Sequence, residues 1–236
     1  MTGIRAVIFD LDGCLVDSEP HSLEALAAEM RAIGLTDASA GQIRTHFLGV
    51  SMTDICRHIT CSSGVAVPED FVERVETRLF AVYAEKLRPI PGAGALLDRL
   101  EAAGIGMAIA TGGSVRRMQR TLELGGFAAR FRLRGFSADH VARGKPAPDL
   151  FLHAAEALGV PPAHCAVLED SPHGVAGARA AGMAAVGFVG GSHLDGVRAA
   201  HRATLARAGA DPVLDSLGPA FEALTGGGRA GGKRQK

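Results

Sequence analysis

The chain is 236 residues long, 47% hydrophobic, and carries 25 Lys and Arg against 25 Asp and Glu, so its formal charge is zero. That length can bury one core, or one core with a small second domain. The balanced charge leaves no electrostatic footprint for a nucleic acid or an acidic membrane, and no apolar run approaches the ~20 residues of a membrane span.

The first element is a short apolar run, Ala6 to Phe9, that ends abruptly in Asp10, Asp12 and Gly13. It reads as a buried strand delivering two acids to the rim of a sheet. Acids one residue apart on an extended chain point to the same side, and their repulsion favours a cation between them. A hard divalent metal, magnesium first, fits that pattern, with one acid free for chemistry. For the pair alone, an ordinary helix N-cap remains open. An EF-hand does not: counted from Asp10, the fifth position is Cys14, the glycine position Leu15 and the final Glu position His21. The two acids also interrupt any apolar export signal, so a cytoplasmic location is expected. Cys14, Cys56, Cys61 and Cys165 form no C-x-x-C pair and read as isolated buried thiols. Cys14 lies close to the acids but has no evident base to activate it.

From about Val16 to Arg88 the chain reads as helix after helix. Leu23, Leu26, Ala27, Met30 and Ile33 recur at helical spacing before Gly34, and Val72, Val75, Leu79, Val82 and Tyr83 do so over Phe71 to Leu87. After Pro89 to Gly92 the character changes. Helices over Ala93–Ala103, Ser114–Leu124, Asp149–Leu158 and His173–Ala181 alternate with strands over Ile105–Thr111, Phe131–Phe136, Cys165–Leu168 and Ala184–Val189. This alternation predicts βαβ units and a parallel sheet covered on both faces, an α/β core of the doubly wound, Rossmann-like kind. The expected division is a core of residues 1–15 and 90–225, an all-helical insertion at 16–89, and a flexible, glycine-rich basic tail at 226–236.

In such a sheet, ligands bind outside the carboxyl ends of the strands. Thr111, Gly112 and Gly113 follow one strand and open a helix, a cradle for phosphate or simply the approach to a cap at Ser114. Lys145 stands just before Pro146, which biases its backbone to an extended form, and there it can neutralise a phosphate or serve as a turn lysine. Glu169 and Asp170 close another strand and can meet Asp10 to complete a metal site, or cap the next helix. Jointly these ends supply a nucleophilic carboxylate, a second acid, a hydroxyl, a lysine and further acids.

Four segments carry a family resemblance: Asp10-Leu-Asp-Gly-Cys-Leu-Val-Asp-Ser-Glu-Pro20, Ala110-Thr-Gly-Gly-Ser114, Gly144-Lys-Pro-Ala-Pro-Asp149 and Leu168-Glu-Asp-Ser-Pro-His-Gly174. The chain resembles the haloacid dehalogenase superfamily phosphohydrolases, in the subgroup of β-phosphoglucomutase and small sugar-phosphate phosphatases. The resemblance implies a helical cap inserted after the first motif and Mg2+-dependent hydrolysis of a small phosphate ester, a sugar phosphate first, through an aspartyl-phosphate; a monomer is expected, with a dimer as the alternative, and no nucleic-acid or membrane partner. It makes Asp10 the nucleophile and Asp12 the general acid and base. Thr111, Gly112 and Gly113 hold phosphoryl oxygens, and Lys145 bridges phosphate and Asp10. Asp10, the backbone carbonyl of Asp12 and Asp170 bind Mg2+, with Glu169 a ligand or a partner of the ligands. Gly49, in the cap, faces the site on closure, and His173 is expected as a helix-start residue facing water, with a place near the mouth of the site as the alternative. A phosphosugar mutase is the first alternative. Against it, His21 stands one step before the usual family position, which Ser22 takes, and Met52 stands where the mutase has arginine. The second alternative is a protein that binds a phosphometabolite without turnover.

Overall fold

The computed structural model describes residues 3–226. The predicted tail lies outside them from residue 227 onward.

Six parallel strands form the sheet: β1 (Ala6–Phe9), β2 (Gly106–Thr111), β3 (Gly135–Ser137), β4 (Cys165–Glu169), β5 (Ala184–Phe188) and β6 (Val213–Leu214). Their order is β3-β2-β1-β4-β5-β6, so the first strand is central. Alternation along β1 explains the two-faced core. Val7 and Phe9 join one apolar cluster, and Ala6 and Ile8 join the other. Met107 and Ile109 of β2 and Ala166 and Leu168 of β4 follow the first pair, while Ala108, Ala110 and Val167 follow the second. Helices α5 (Ala93–Ala102) and α10 (Ala220–Thr225) pack against each other, and α7 (Asp149–Ala157) packs across β1, β2 and β3.

Four helices intervene between β1 and α5: α1 (Glu19–Ala32), α2 (Ala40–Phe47), α3 (Met52–Ser63) and α4 (Phe71–Lys86). Helix α1 packs on α2 and α4. Leu23, Leu26 and Met30 are buried with Val75, Leu79 and Tyr83, as their spacing predicted. Ser39 and Ser51 cap α2 and α3, each accepting from the amide three residues on. In the core, α6 (Val115–Leu124) and α8 (Pro172–Ala180) are capped likewise by Ser114 and Ser171.

One strand prediction needs correction. Residues 128–133 form turns, and the strand occupies only Gly135–Ser137. Phe131 gave the segment its strand-like look, but it is buried against the edge of the Phe9 ring (centroids 6.3 Å apart) from a turn in which Leu133 is 91% exposed at φ 61°. The tail end of the fold, α9 (Arg198–Ala208), β6 and α10, had no counterpart in the predicted elements. The thiols are free, as expected, but only Cys14 and Cys165 are buried; Cys61 is exposed. Among the described residues no helix is long and apolar enough to cross a membrane.

Candidate active site

The register of the sheet gathers the predicted residues. Phe9 pairs with Ile109 of β2 and Leu168 of β4, so Asp10, Thr111, Glu169 and Asp170 emerge at one carboxyl edge. The Asp10 amide donates to the Leu168 carbonyl at 3.0 Å, which ties the first acid to the strand bearing the last two. All four side chains are buried, as are Asp12 and Lys145.

Lys145 reaches this edge from the loop before α7. Its Nζ donates to Asp10 Oδ1 at 2.5 Å and also to the Glu169 carboxylate. Burial opposes the charged ammonium, but Asp10 and Glu169 outweigh it and hold its pKa above the ordinary lysine value. Burial likewise pushes the Asp10 carboxyl well up; Lys145 opposes this, and Glu169, Asp170 and Asp12 reinforce it. The site is therefore short of positive charge.

Asp12 is held differently. Ser18 Oγ donates to its Oδ1 at 2.5 Å, Arg117 lies 3.0 Å from the same oxygen, and Thr111 Oγ1 lies 3.4 Å from Oδ2. Arg117 also reaches Glu19 at 3.2 Å. The Thr111 hydroxyl accepts from the Gly113 amide at 3.1 Å.

The residues present fit a divalent cation. Ligand atoms of Asp10, Asp170 and Cys14 lie within 4.8 Å of one another, all buried. Burial, then Asp170 and Asp10, raise the Cys14 thiol well above its ordinary value, so it stays protonated and is a poor ligand for a hard ion. Two buried carboxyls, Asp10 and Asp170, remain as hard oxygen donors within reach of one ion. The Glu169 carboxylate lies outside this group. It takes Lys145 and the Ser171 amide, the latter at 2.9 Å. Of the two roles expected for Glu169, that geometry matches the partner of ligands.

Asp10, Asp12, Asp170, Thr111, Gly112 and Gly113 line a cavity closed by the helical insertion. Lys145 lines an adjoining cavity with Gly112, Ser51 and Met52, and Glu169 is linked to Asp10 through the shared Lys145 ammonium. Gly49 faces the cavity, as predicted, at φ +77°. A Cβ there would stand 2.2 Å from Ser171 Oγ, and one on Gly112 would stand 3.1 Å from the Gly49 carbonyl oxygen. Both glycines thus permit a close approach of insertion and core. The wall contributed by the insertion is largely apolar, with Leu23, Leu26, Ile43, Phe47, Met52 and Ile55. Ser22 also lines the cavity, and His21 is not among its lining residues. His173 does not simply face water. It is half-buried, with Nδ1 3.2 Å from the Leu48 carbonyl of the insertion.

Sequence reasoning gave no role to Ser18, Glu19, Arg117 or His193. Arg117 follows the Ser114 cap by three residues, on the first turn of α6, where it was open to inspection. His193 follows β5 in Gly190-Gly-Ser-His193, at a strand end of the same sheet edge, and that place is its one signal in the sequence.

A family model for haloacid dehalogenase-like hydrolases matches residues 4–182. Hexitol phosphatase A of Escherichia coli (strain K12) is 35% identical over 178 residues, 75% of this chain and 80% of that protein. β-Phosphoglucomutase of Mycobacterium bovis is 32% identical over 242 aligned positions, 91% of this chain and 90% of that one. A crystal structure of a HAD family hydrolase from Deinococcus radiodurans R1, with bound phosphate and sodium, superposes with a TM-score of 0.69 at 32% identity. The alignment covers 94% of this chain and 96% of that one. The match runs through the ends of β1, β2 and β4 that build the cavity, and this chain belongs to the haloacid dehalogenase-like hydrolases, as a phosphohydrolase of the β-phosphoglucomutase and sugar-phosphatase subfamily.

Proposed function

We propose that the protein is a Mg2+-dependent phosphatase of a small sugar or polyol phosphate, acting as a cytoplasmic monomer through an aspartyl-phosphate at Asp10. The observation that carries this reading is the Lys145 ammonium 2.5 Å from Asp10 Oδ1, with Asp170 in ligand reach of the same acid. A carboxylate attacking a phosphate meets anion–anion repulsion, and a buried ammonium beside it offsets that charge. Bound with Asp10, Asp170 and the Asp12 backbone carbonyl, Mg2+ supplies further charge neutralisation and orientation.

In the first half-reaction an Asp10 oxygen bonds to phosphorus, the ester P–O bond breaks, and Asp12 gives its proton to the leaving oxygen. In the second, Asp12 takes a proton from water, the water oxygen bonds to phosphorus, and Asp10 leaves as carboxylate. Ser18 and Arg117 keep the Asp12 carboxyl in place for both proton transfers. Thr111, Gly112 and Gly113 hold the phosphoryl oxygens. Phosphoryl transfer otherwise depends mostly on such positioning.

The apolar wall favours a leaving group without a second negative charge. Glu19 and Ser22 are its polar members from α1 and can meet hydroxyls. A mutase must grip a second phosphate, and Met52 and Ser22 offer no cation for one. The test is Mg2+-dependent phosphate release from p-nitrophenyl phosphate. Wild type should turn over and Asp10→Asn should not; release by neither supports a binding protein. Hexitol phosphates should exceed 6-phosphogluconate in kcat/KM by about tenfold, the worth of roughly 1.4 kcal/mol of differential transition-state binding. Conversion of β-glucose 1-phosphate to glucose 6-phosphate with a bisphosphate primer would show the mutase instead.

A further inference from the structure

Asp170 is gripped from two sides by histidines that follow β5. His201 Nε2 lies 2.6 Å from the Asp170 carbonyl oxygen, and His193 Nε2 lies 2.9 Å from its carboxylate Oδ2. A carboxylate oxygen only accepts, so the proton between His193 and Asp170 sits on Nε2. The approach is off the direction of a well-aligned hydrogen bond, and among the described residues both buried ring nitrogens have no other partner. The imidazole is fully buried. An unshared, buried donor this close to a carboxylate is costly unless the contact serves the acid.

The chain makes room for this ring. A Cβ on Gly13 would stand 2.8 Å from His193 Cε1 and 2.3 Å from Asp170 Oδ2. A Cβ on Gly191 would stand 2.6 Å from His193 Cε1. The ring therefore occupies a slot between two glycines, directly under the loop that carries Asp10 and Asp12. The backbone around it is pinned as well. Ser192 donates its amide to Asp17 Oδ1 at 3.1 Å, and Arg44 of α2 donates to the His193 carbonyl at 2.8 Å. A short 3-10 turn, Ser192–Leu194, holds the residue between these ties.

We infer that His193 is a positioning residue for the metal site, holding Asp170 Oδ2 so that the other carboxylate oxygen is presented to the cation beside Asp10. The inference rests on the metal site proposed above. An outer partner that fixes the rotamer of a ligating carboxylate removes orientational freedom before the ion arrives, and loss of such a partner commonly costs 10–100-fold in metal affinity. His201 secures the main chain of Asp170, so loss of His193 frees the side chain alone.

The test is the affinity of the full-length, phosphate-free protein for Mn2+, read from the free-ion electron paramagnetic resonance signal, with Mg2+ as competitor. Wild type should bind one ion, and Asp170→Asn should lose it. His193→Ala should weaken binding about 10–100-fold with circular dichroism unchanged. His193→Gln, whose amide can reach the same carboxylate oxygen, should return to within about threefold of wild type. Where the Ala variant does not fold, His193→Leu keeps the volume and removes the donor, and the same loss is expected. Affinity of His193→Ala or His193→Leu within twofold of wild type, with Asp170→Asn inactive in binding, overturns this inference and leaves the proposed phosphatase intact. Binding by Asp170→Asn as tight as wild type overturns the metal site itself, and this inference with it.

Discussion

Lys145→Met isolates the charge that the proposed chemistry needs most. The side chain is fully buried, and its Nζ serves both Asp10 and Glu169. Methionine keeps the length and stays beside the Phe151 ring, over which Nζ lies 5.3 Å from the centroid, so packing changes little. The electrostatics change greatly. At an effective dielectric near 20, one pair at 4 Å is worth about 4 kcal/mol. The buried ammonium's desolvation offsets part of two such pairs, and removing one partner of a buried pair costs about 3–5 kcal/mol. For a chain of this size that is a fall in Tm of roughly 6–20 °C. The pH dependence follows from the sign of the shifts. Burial already raises Asp10 and Glu169, and loss of Lys145 removes the main opposing influence on each. A carboxyl raised on folding favours the folded state below its unfolded value and disfavours it as pH climbs, so the deficit against wild type should be larger at pH 8 than at pH 5. Activity should fall about 10²–10³-fold, the usual worth of a preorganised charge at the reacting group. Differential scanning fluorimetry at the two pH values and kcat/KM on p-nitrophenyl phosphate measure both. A variant with wild-type Tm at both pH values and activity within tenfold would refute the argument that Lys145 neutralises Asp10.

Other expectations are more local. Asp12→Asn should lower kcat about 10²–10⁴-fold in a steady-state assay while leaving Mn2+ affinity within a few-fold, because its carboxylate is engaged by Ser18 and Arg117 and the proposed metal site takes only its backbone carbonyl. Gly49→Ala combines a positive φ with a 2.2 Å clash on Ser171, which opening of the insertion relieves. It should therefore lower kcat/KM at least tenfold while Tm moves by only a few degrees. Glu29 is buried in the insertion and paired with Arg74 at 2.6 Å and Arg78 at 2.8 Å. Burial works against its charge, but the hydrogen bonds from Arg78 and the Arg74 ion pair outweigh it and lower its pKa. Its contribution is full above the unfolded carboxyl value and is lost as pH falls through the lowered folded one, so Glu29→Gln should destabilise by about 1–2 kcal/mol at pH 7 in urea melts and flatten the acid limb.

What was legible follows from what is local. Ala6 to Phe9 declares itself because a fully buried parallel strand needs an unbroken apolar run, and the acids after it mark where the strand leaves the core. The insertion is legible through α1 and α4, where Leu23, Leu26 and Met30 must meet Val75, Leu79 and Tyr83 on one side. Helices α2 and α3 are shorter and bury only Ile43 and the pair Ile55 and Ile59, so their pattern carries less. The segment around Phe131 deceived because one buried ring flanked by arginines alternates like a strand, while its backbone turns. Strand β6 has two residues and exists only by pairing with Gly187 and Phe188, a fact no local pattern contains. Arg117 and His193 are hidden for the same reason. Each owes its importance to acids about a hundred or more residues earlier, or on a neighbouring strand, and only the sheet register brings them together.

The charges so assembled carry one more consequence. Asp10, Asp12, Glu169 and Asp170 bring four buried carboxyls to one edge, half-buried Glu19 of α1 adds a fifth beside them, and Lys145 and Arg117 are the lysine and arginine that touch them. A phosphate monoester adds further negative charge beneath Thr111 and Gly112. Without a cation, binding the ester there must overcome repulsion that little water remains to screen. Phosphate and divalent ion should therefore bind with positive coupling, and the coupling must be reciprocal. A modest 1.4 kcal/mol of coupling is a tenfold change in either affinity. Calorimetric titration of inorganic phosphate into the protein with and without saturating Mg2+ reads one side of the cycle, and Mn2+ affinity with and without phosphate reads the other. Equal factors of about tenfold or more on both sides are expected. Phosphate affinity that is the same in chelator and in Mg2+ would mean that Lys145 and Arg117 already balance the acids, and the case for a divalent ion at Asp10 and Asp170 would lose its electrostatic ground.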